Sequence, residues 1–297
     1  MAALHEAGCR TFFVSTYAEA EELGSARGES SLIVLHGPSA EDMEAALASS
    51  ARPVLNTIEQ VHRWKAAAPG RASDVMVDTG MNRLGLRLDE VASLEGLPID
   101  TLHSHLACAD DDSAMNGRQL QSFRQFAAAV QAKRYSLANS AGICLGTDYS
   151  FDLVRPGLGL YGGVPRGEAN GHIRQVARIE AQVVQRRTIR SGESCGYGAT
   201  FIADRDTQAV IVNLGYADGY LRGFSSRGSG FAGEFALPVL GRVSMDLLAL
   251  GCDAAPTLNE GDWVELDYDL PTASEASGLS QYELLTGLGT RFERRWA

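Results

Sequence analysis

Val75-Met76-Val77-Asp78-Thr79-Gly80-Met81-Asn82-Arg83-Leu84-Gly85 decides how the first half of the chain is read. Three apolar residues form a short buried strand, and the chain then breaks into a glycine-containing loop carrying one guanidinium. A strand end that delivers an always-charged planar donor is where α/β proteins place ligand contacts. Alone, the stretch reads equally well as an ordinary loop with a solvated Arg83, so the other strand ends must decide. They repeat the same plan of strand, loop and helix.

Upstream, residues 1–8 look like the last turns of a helix ending at a glycine. Thr11-Phe12-Phe13-Val14, Leu32-Ile33-Val34-Leu35 and Pro53-Val54-Leu55 are apolar runs of strand length. Between them Thr16 with Glu19, Ser39 with Asp42 and Thr57 with Gln60 have the spacing of helix N-caps. Downstream, a short helix near residues 88–94 leads to a strand over 99–105. A long helix follows over about 118–134, with Leu120, Phe123, Phe126, Ala127 and Val130 on one face. Strands at 135–138 and 151–154 complete a set of seven.

Short apolar strands alternating with helices imply an α/β fold with parallel strands and crossovers. A doubly wound sheet and an eight-stranded barrel compete. Seven strands behind an N-terminal helix favour a (β/α)8 barrel of the TIM type without its first strand, the seven being the second to the eighth. After residue 171 the pattern changes to strands at 179–183, 209–214, 237–240, 247–250 and 263–266, broken by glycine and proline turns. The chain is thus expected to hold two domains, a barrel over 1–172 and a mostly β domain over 173–297.

With 297 residues the chain can bury a large core, and 45% hydrophobic against 21% charged residues fits a soluble globular protein. The net charge of −11 argues against nucleic acid and anionic lipid as partners. No apolar run reaches the length of a membrane span, and no signal peptide is read at the start. Five scattered cysteines without a C-x-x-C pair indicate neither a zinc site nor a disulfide framework, and a cytoplasmic setting is expected. Lysine is scarce: only Lys65 and Lys133 stand among 26 cationic residues.

Barrel chemistry gathers at the C-terminal strand ends. Those ends carry Arg83, then His105, then Asn139 and Ser140, then Arg155, Gly157 and Leu158. The last two loops are the usual phosphate site of such barrels, and glycine lets backbone N–H groups approach an anion closely. A phosphate-bearing ligand is the natural guess. Taken singly, His105 also reads as a core histidine, Arg155 as a structural ion-pair partner, and Asn139-Ser140 as a turn or helix cap. The run Gly157-Leu158-Gly159-Leu160-Tyr161-Gly162 matches G-x-G-x-x-G, but Pro165, Gly167 and Gly171 follow at once. No helix should open there, so a dinucleotide fingerprint is rejected.

In the second domain, Gly196-Tyr197-Gly198-Ala199, Gly215-Tyr216-Ala217-Asp218-Gly219 and Gly241-Arg242-Val243-Ser244-Met245-Asp246 are compact motifs. A tyrosine phenol can act as a base only where a neighbour stabilises the phenolate. The plainer account of both tyrosines is amphipathic packing at a domain surface.

Together these motifs, in this order and over essentially the whole chain, resemble the alanine racemases, pyridoxal-phosphate enzymes built from a barrel and a β domain. The resemblance implies an isomerase that interconverts L- and D-alanine by two-base proton transfer and supplies D-alanine for the cell wall. It implies that His105 packs on the cofactor ring, with Asn139 beside the cofactor. Ser140, Gly157, Leu158 and Tyr282 would hold the phosphate, and Arg155 would donate to the pyridine nitrogen. Arg83 would reach the cofactor's phenolic oxygen and the substrate carboxylate. Tyr197 would be one proton-transfer base, with Tyr216 and Met245 beside it, all supplied by the partner subunit of a homodimer. Two departures stand out. The family's Schiff-base lysine, in a Lys-Ala-(Asn/Asp)-Ala-Tyr-Gly run on the first strand, is not found, and Met1 is expected to fall roughly ten residues beyond it. Met76 also stands where many members carry a lysine seven residues before the motif arginine. A pyridoxal-phosphate-binding pseudo-racemase, or a racemase of serine or broader specificity, are the alternatives.

Overall fold

A computed structural model describes residues 1–24 and 28–296. Its two compact units are Met1–Pro156 and Gly157–Ala297.

The first unit runs α1 (Ala2–Glu6), β1 (Thr11–Val14), α2 (Tyr17–Leu23), β2 (Ser31–Val34), α3 (Met43–Ala48), β3 (Arg52–Leu55), α4 (Ile58–Ala67) and β4 (Ser73–Met76). A 3-10 segment (Leu88–Leu94), β5 (Ile99–His103), α5 (Ala114–Ala129), β6 (Arg134–Ser136) and α6 (Ser140–Cys144) follow. The strands are parallel and lie in the order β1-β2-β3-β4-β5-β6. A doubly wound sheet reverses its strand order at a switch point. This one never does, so the architecture is a TIM-like half-barrel. Two of the three helix caps read from the sequence are present: Thr16 Oγ1 accepts from Glu19 N at 3.2 Å, with Glu19 reaching back, and Thr57 Oγ1 accepts from Gln60 N at 3.2 Å. Ser39 and Asp42 bond each other instead, and α3 starts only at Met43 without a side-chain cap. Helix α5 starts a turn earlier than the periodicity indicates, because Ser113 caps it, and it ends at Ala129 before the loop into β6.

The expected seventh strand at 151–154 is not formed among the described residues. Arg155 makes a single parallel bridge with Asn139 instead. The run is too short for a ladder, and Phe151 takes a positive φ of 48° that breaks extended backbone.

The middle strands β2–β5 bury residues on two different faces. Leu32, Val34, Leu55, Val75, Leu102 and Leu137 join the helix-facing core with Trp64, Phe123 and Phe126. The inner face carries a smaller apolar cluster of Ile33, Val54 and Met76, flanked by Phe13 and Leu35. It also buries Asp74, Thr101, His103 and Ser136, which no apolar reading of the strands foresees.

The second unit opens on a 3-10 turn (Leu158–Tyr161). Its strands are β7 (Ile179–Ile189), β8 (Ser194–Cys195), β9 (Phe201–Ile202), β10 (Thr207–Val212), β11 (Ser229–Ala232), β12 (Phe235–Pro238), β13 (Leu248–Gly251) and β14 (Trp263–Leu266). Two helices close it, α7 (Leu270–Ser277) and α8 (Gln281–Thr286). The main sheet is antiparallel, in the order β12-β11-β14-β7-β10-β13. The segment after Pro156 belongs here: Val164 N donates to Gln281 Oε1 at 2.8 Å, and Gln281 Nε2 donates back to Val164 O at 2.9 Å. The glycine run 157–162 forms only a four-residue 3-10 turn, in keeping with rejection of a dinucleotide fingerprint. Among the described residues no helix is long and apolar enough to cross a membrane.

Candidate active site

The opening stretch forms a closed loop at the end of β4. Asp78 N donates to Leu86 O and Leu86 N to Met76 O, both at 2.9 Å, so the chain returns onto its own strand. Asp78 Oδ1 accepts from Gly80 N at 2.8 Å and Asn82 N at 3.1 Å, which pins the turn from inside. Gly85 is required: its φ is +121°, and a Cβ there would lie 2.6 Å from Asp78 N and from the Val77 carbonyl carbon. The loop presents Arg83 to a cavity of about 410 Å³. Among the described residues Arg83 has no carboxylate within ion-pair distance, which leaves it to bind an anion from outside.

Three sequence-predicted residues line that cavity together: Arg83, His105 and Arg155. Phe13, Leu35 and Met76 supply apolar wall. His105 is held by its backbone, since Gln119 Nε2 of α5 donates to His105 O at 2.9 Å and to Thr79 Oγ1 at 3.0 Å. Thr79 in turn is 2.8 Å from Ser104 Oγ. Burial lowers the His105 pKa to about 4, and Arg155 and Arg83 push the same way. The ring is therefore neutral at physiological pH, as an imidazole stacked on an aromatic plane would be.

Arg155 reaches the cavity from a protein-lined socket. Its NH1 donates to Ser136 Oγ and, at 3.3 Å, to His103 Nδ1; its NH2 donates to Ser104 O. Burial pulls its pKa down to about 10, with Asp74 opposing the fall, so it stays charged near neutrality.

Asn139 and Ser140 head α6 rather than lining the cavity. Asn139 Oδ1 accepts from Gly142 N at 2.8 Å, which is the helix-cap reading of that dipeptide. In the second unit Gly157, Leu158 and Tyr282 come together. A Cβ at Gly157 would lie 2.2 Å from the Tyr282 hydroxyl, which accepts from the Leu158 backbone.

The three motifs of the β unit converge on residues 241–246. Tyr216 N donates to Ser244 O and Ala217 N to Met245 O, both at 3.0 Å. A Cβ on Gly198 would sit 3.2 Å from the Arg242 guanidinium, so the Tyr197 loop lies against that arginine. Tyr197 is 65% exposed and Met245 52%. Arg222 stacks over the Tyr216 ring at 5.1 Å.

Sequence reasoning missed Asp74, His103, Ser136 and Gln119. The first two share alternating strand positions with residues of the stretches singled out: Asp74 with Asp78, and His103 with His105. Period-two spacing would have found them.

Two family models match this chain. The alanine racemase N-terminal domain covers residues 1–165, and the alanine racemase C-terminal domain covers 176–296. The chain belongs to the alanine racemase family. It is 39% identical over 311 residues to the catabolic alanine racemase of Agrobacterium fabrum, covering 99% of this chain and 80% of that protein. Among solved structures, the alanine racemase of Bartonella henselae with covalently bound pyridoxal phosphate aligns with a TM-score of 0.92 at 34% identity, over 99% of this chain and 87% of that one. The biosynthetic alanine racemase of Pseudomonas aeruginosa aligns with a TM-score of 0.89 at 32% identity, over 100% and 87% of the two chains. Both units of this racemase-family chain are thus matched.

Proposed function

We propose that this chain interconverts L- and D-alanine on pyridoxal phosphate, as part of a homodimer with shared active sites, and so furnishes D-alanine for the cell wall. The observation that carries the reading is the gathering of Arg83, His105 and Arg155 on one cavity in a chain of this family. The residues fit the cofactor. Phe13, Leu35 and Met76 offer apolar wall for an aromatic ring, and Arg155 offers a donor for its nitrogen. Only glycine fits at 157 beside the Tyr282 phenol. Ser140, Gly157, Leu158 and Tyr282 are assigned to the phosphate, with Asn139 fixing the turn that presents Ser140.

When bound, pyridoxal phosphate supplies an electron sink that acidifies the α-carbon of the amino acid. Arg155 has donors only, so it keeps the ring nitrogen unprotonated and moderates that sink. Neutral His105 packs on the ring without adding charge. Arg83 holds the substrate carboxylate. Tyr197, with Tyr216 and Met245 beside it, serves the partner's site and moves the proton on one face of the α-carbon.

We assign the amine for the other face to neither lysine of residues 1–297. Lys65 Nζ donates to Ser93 O at 3.3 Å and Glu95 O at 2.7 Å, and Lys133 is 73% exposed beside Asp100. Neither lines the cavity. This favours, as a second reading, a chain that binds the cofactor without turning over.

Two experiments test these readings. Residues 1–297 mixed with pyridoxal phosphate and reduced with borohydride should give no stoichiometric label on Lys65 or Lys133. Site-specific labelling of either lysine together with racemase activity would overturn the assignment of the amine. In a form of the protein that racemises alanine, Tyr197→Phe should slow the reaction from the L-isomer on the order of 10²–10⁴-fold. Near-normal turnover in both directions would remove Tyr197 from the mechanism.

A further inference from the structure

Across the inner face of the half-barrel, beneath the cavity, runs a chain of polar contacts that none of the roles above uses. Arg155 NH1 lies 3.3 Å from His103 Nδ1, and His103 Nε2 lies 2.9 Å from Asp74 Oδ2. Asp74 Oδ1 accepts from Arg52 Nε at 2.6 Å and from Thr101 N at 3.2 Å. That last bond sits where the β4–β5 register shifts, so the Asp74 side chain is built into the sheet itself. Beyond it, Arg52 and Arg134 meet at Asp100. His103 is fully buried and Asp74 is 1% exposed. The imidazole meets the Phe13 ring in a T-shaped contact, with centroids 5.7 Å apart.

We propose that Asp74 and His103 are positioning residues for Arg155: Asp74 fixes the tautomer of His103, and His103 fixes the guanidinium that faces the cofactor. A guanidinium has donors and no acceptor, so the nitrogen it contacts must carry the lone pair. Nδ1 of His103 is therefore bare and Nε2 carries the proton. The Asp74 carboxylate oxygen, an acceptor without a proton, suits the Nε2–H. The orienting group thus stands one residue removed from the arginine, on a different strand, and acts through the ring. The inference rests on the cofactor-facing role given to Arg155 above.

Asp74→Asn exposes the device. Arg52 Nε and Thr101 N are both donors, so the amide oxygen of the variant must take the Oδ1 place. Its NH2 group then points at His103 Nε2. That nitrogen must accept, the proton moves to Nδ1, and two donors face each other at the Arg155 contact. Arg52→Gln, which removes the outer cation but keeps a donor near Oδ1, should leave the tautomer unchanged.

The test uses the full chain labelled with 15N-histidine. Long-range 1H–15N spectra report which ring nitrogen bears the proton, and His103 is assigned as the signal lost in His103→Phe. The wild-type proton should sit on Nε2 and should move to Nδ1 in Asp74→Asn. Pyridoxal phosphate, titrated against both proteins by tryptophan fluorescence, should bind the variant on the order of 10-fold more weakly, the low end of what losing an orienting partner costs in metal sites. A wild-type proton on Nδ1 would overturn the proposal without need of any variant. So would a moved proton with unchanged cofactor affinity. None of these readouts needs turnover, so absence of racemase activity would count against the proposed function and not against the Asp74–His103–Arg155 arrangement.

Discussion

His105 is held neutral by burial and by two guanidiniums, and that has a consequence for acid stability. Its usual pKa of 6.5 falls to about 4 in the folded chain. Between those values the unfolded chain binds a proton that the folded chain refuses, so unfolding gains free energy as pH falls. Stability carried by neutral His105 is complete above pH 6.5 and is lost on descent toward pH 4. His105→Phe keeps an aromatic surface without a titrating group. Its unfolding free energy, from urea titrations, should decline less steeply over this window than that of the wild type. Arg83, His105 and Arg155 were legible in the sequence because each stands at or just past the end of a stretch read as a strand, where barrel chemistry is expected. Asp74 and His103 were not, because they lie inside strands whose hydrophobic neighbours face the helices. A strand read as one buried run hides the polar residues on its other face.

Among the elements, α5 does more than cover the sheet. Gln119, fully buried, donates to Thr79 and to the His105 carbonyl, and its Oε1 accepts from Ala107 N at 2.9 Å. One amide thereby ties the ends of β4 and β5 to one helix. Gln119→Leu preserves the bulk but leaves several buried polar groups unpaired, at about 1–3 kcal/mol each when none is satisfied by water. A loss on the order of 3 kcal/mol in urea unfolding is expected, together with faster amide exchange at Ala107. A variant as stable as wild type would show that these groups find other partners. Helices α2 and α4 were legible through their caps, whose spacing is a local property. Strand 151–154 was misread because an apolar run of four does not say whether a neighbour's edge lies within reach. The two-residue strands β8 and β9, and the glycine-bearing β11, carry too little pattern to be seen.

On the scale of the whole molecule, the second unit leaves apolar side chains in solvent. Tyr197 and Met245, from motifs that meet on one short segment, and Leu247 just beyond it are all exposed. If Tyr197 and Met245 serve a partner's site, a single subunit has no complete site, and the association should be two-fold. Sedimentation velocity should show a dimer wherever racemase activity is measured, and activity should fall on dilution with the dimer fraction. A monomer that retains full activity would refute the shared site. The barrel-plus-β layout was legible from the switch between alternating strand–helix pattern and glycine-punctuated strands. That the chain crosses into its second unit at Pro156 was not, because residues 157–172 have no strong period and are claimed by Gln281 through contacts far apart in sequence.

The strand order of the two sheets carries a kinetic consequence. In the half-barrel every strand pairs with the next one along the chain, so each added strand closes only the loop of its own crossover. In the second unit β14 pairs with β11 and also with β7, and the pairing with β7 joins residues more than 80 positions apart, as at Gln182 and Trp263. Low contact order favours rapid, stepwise growth, whereas long-range pairing pays its loop-closure entropy first and is slow. The half-barrel can therefore zip together strand by strand as it leaves the ribosome, while in the β unit β7 can pair early with β10 but must wait for Trp263–Leu266 to be synthesised before its other edge is covered.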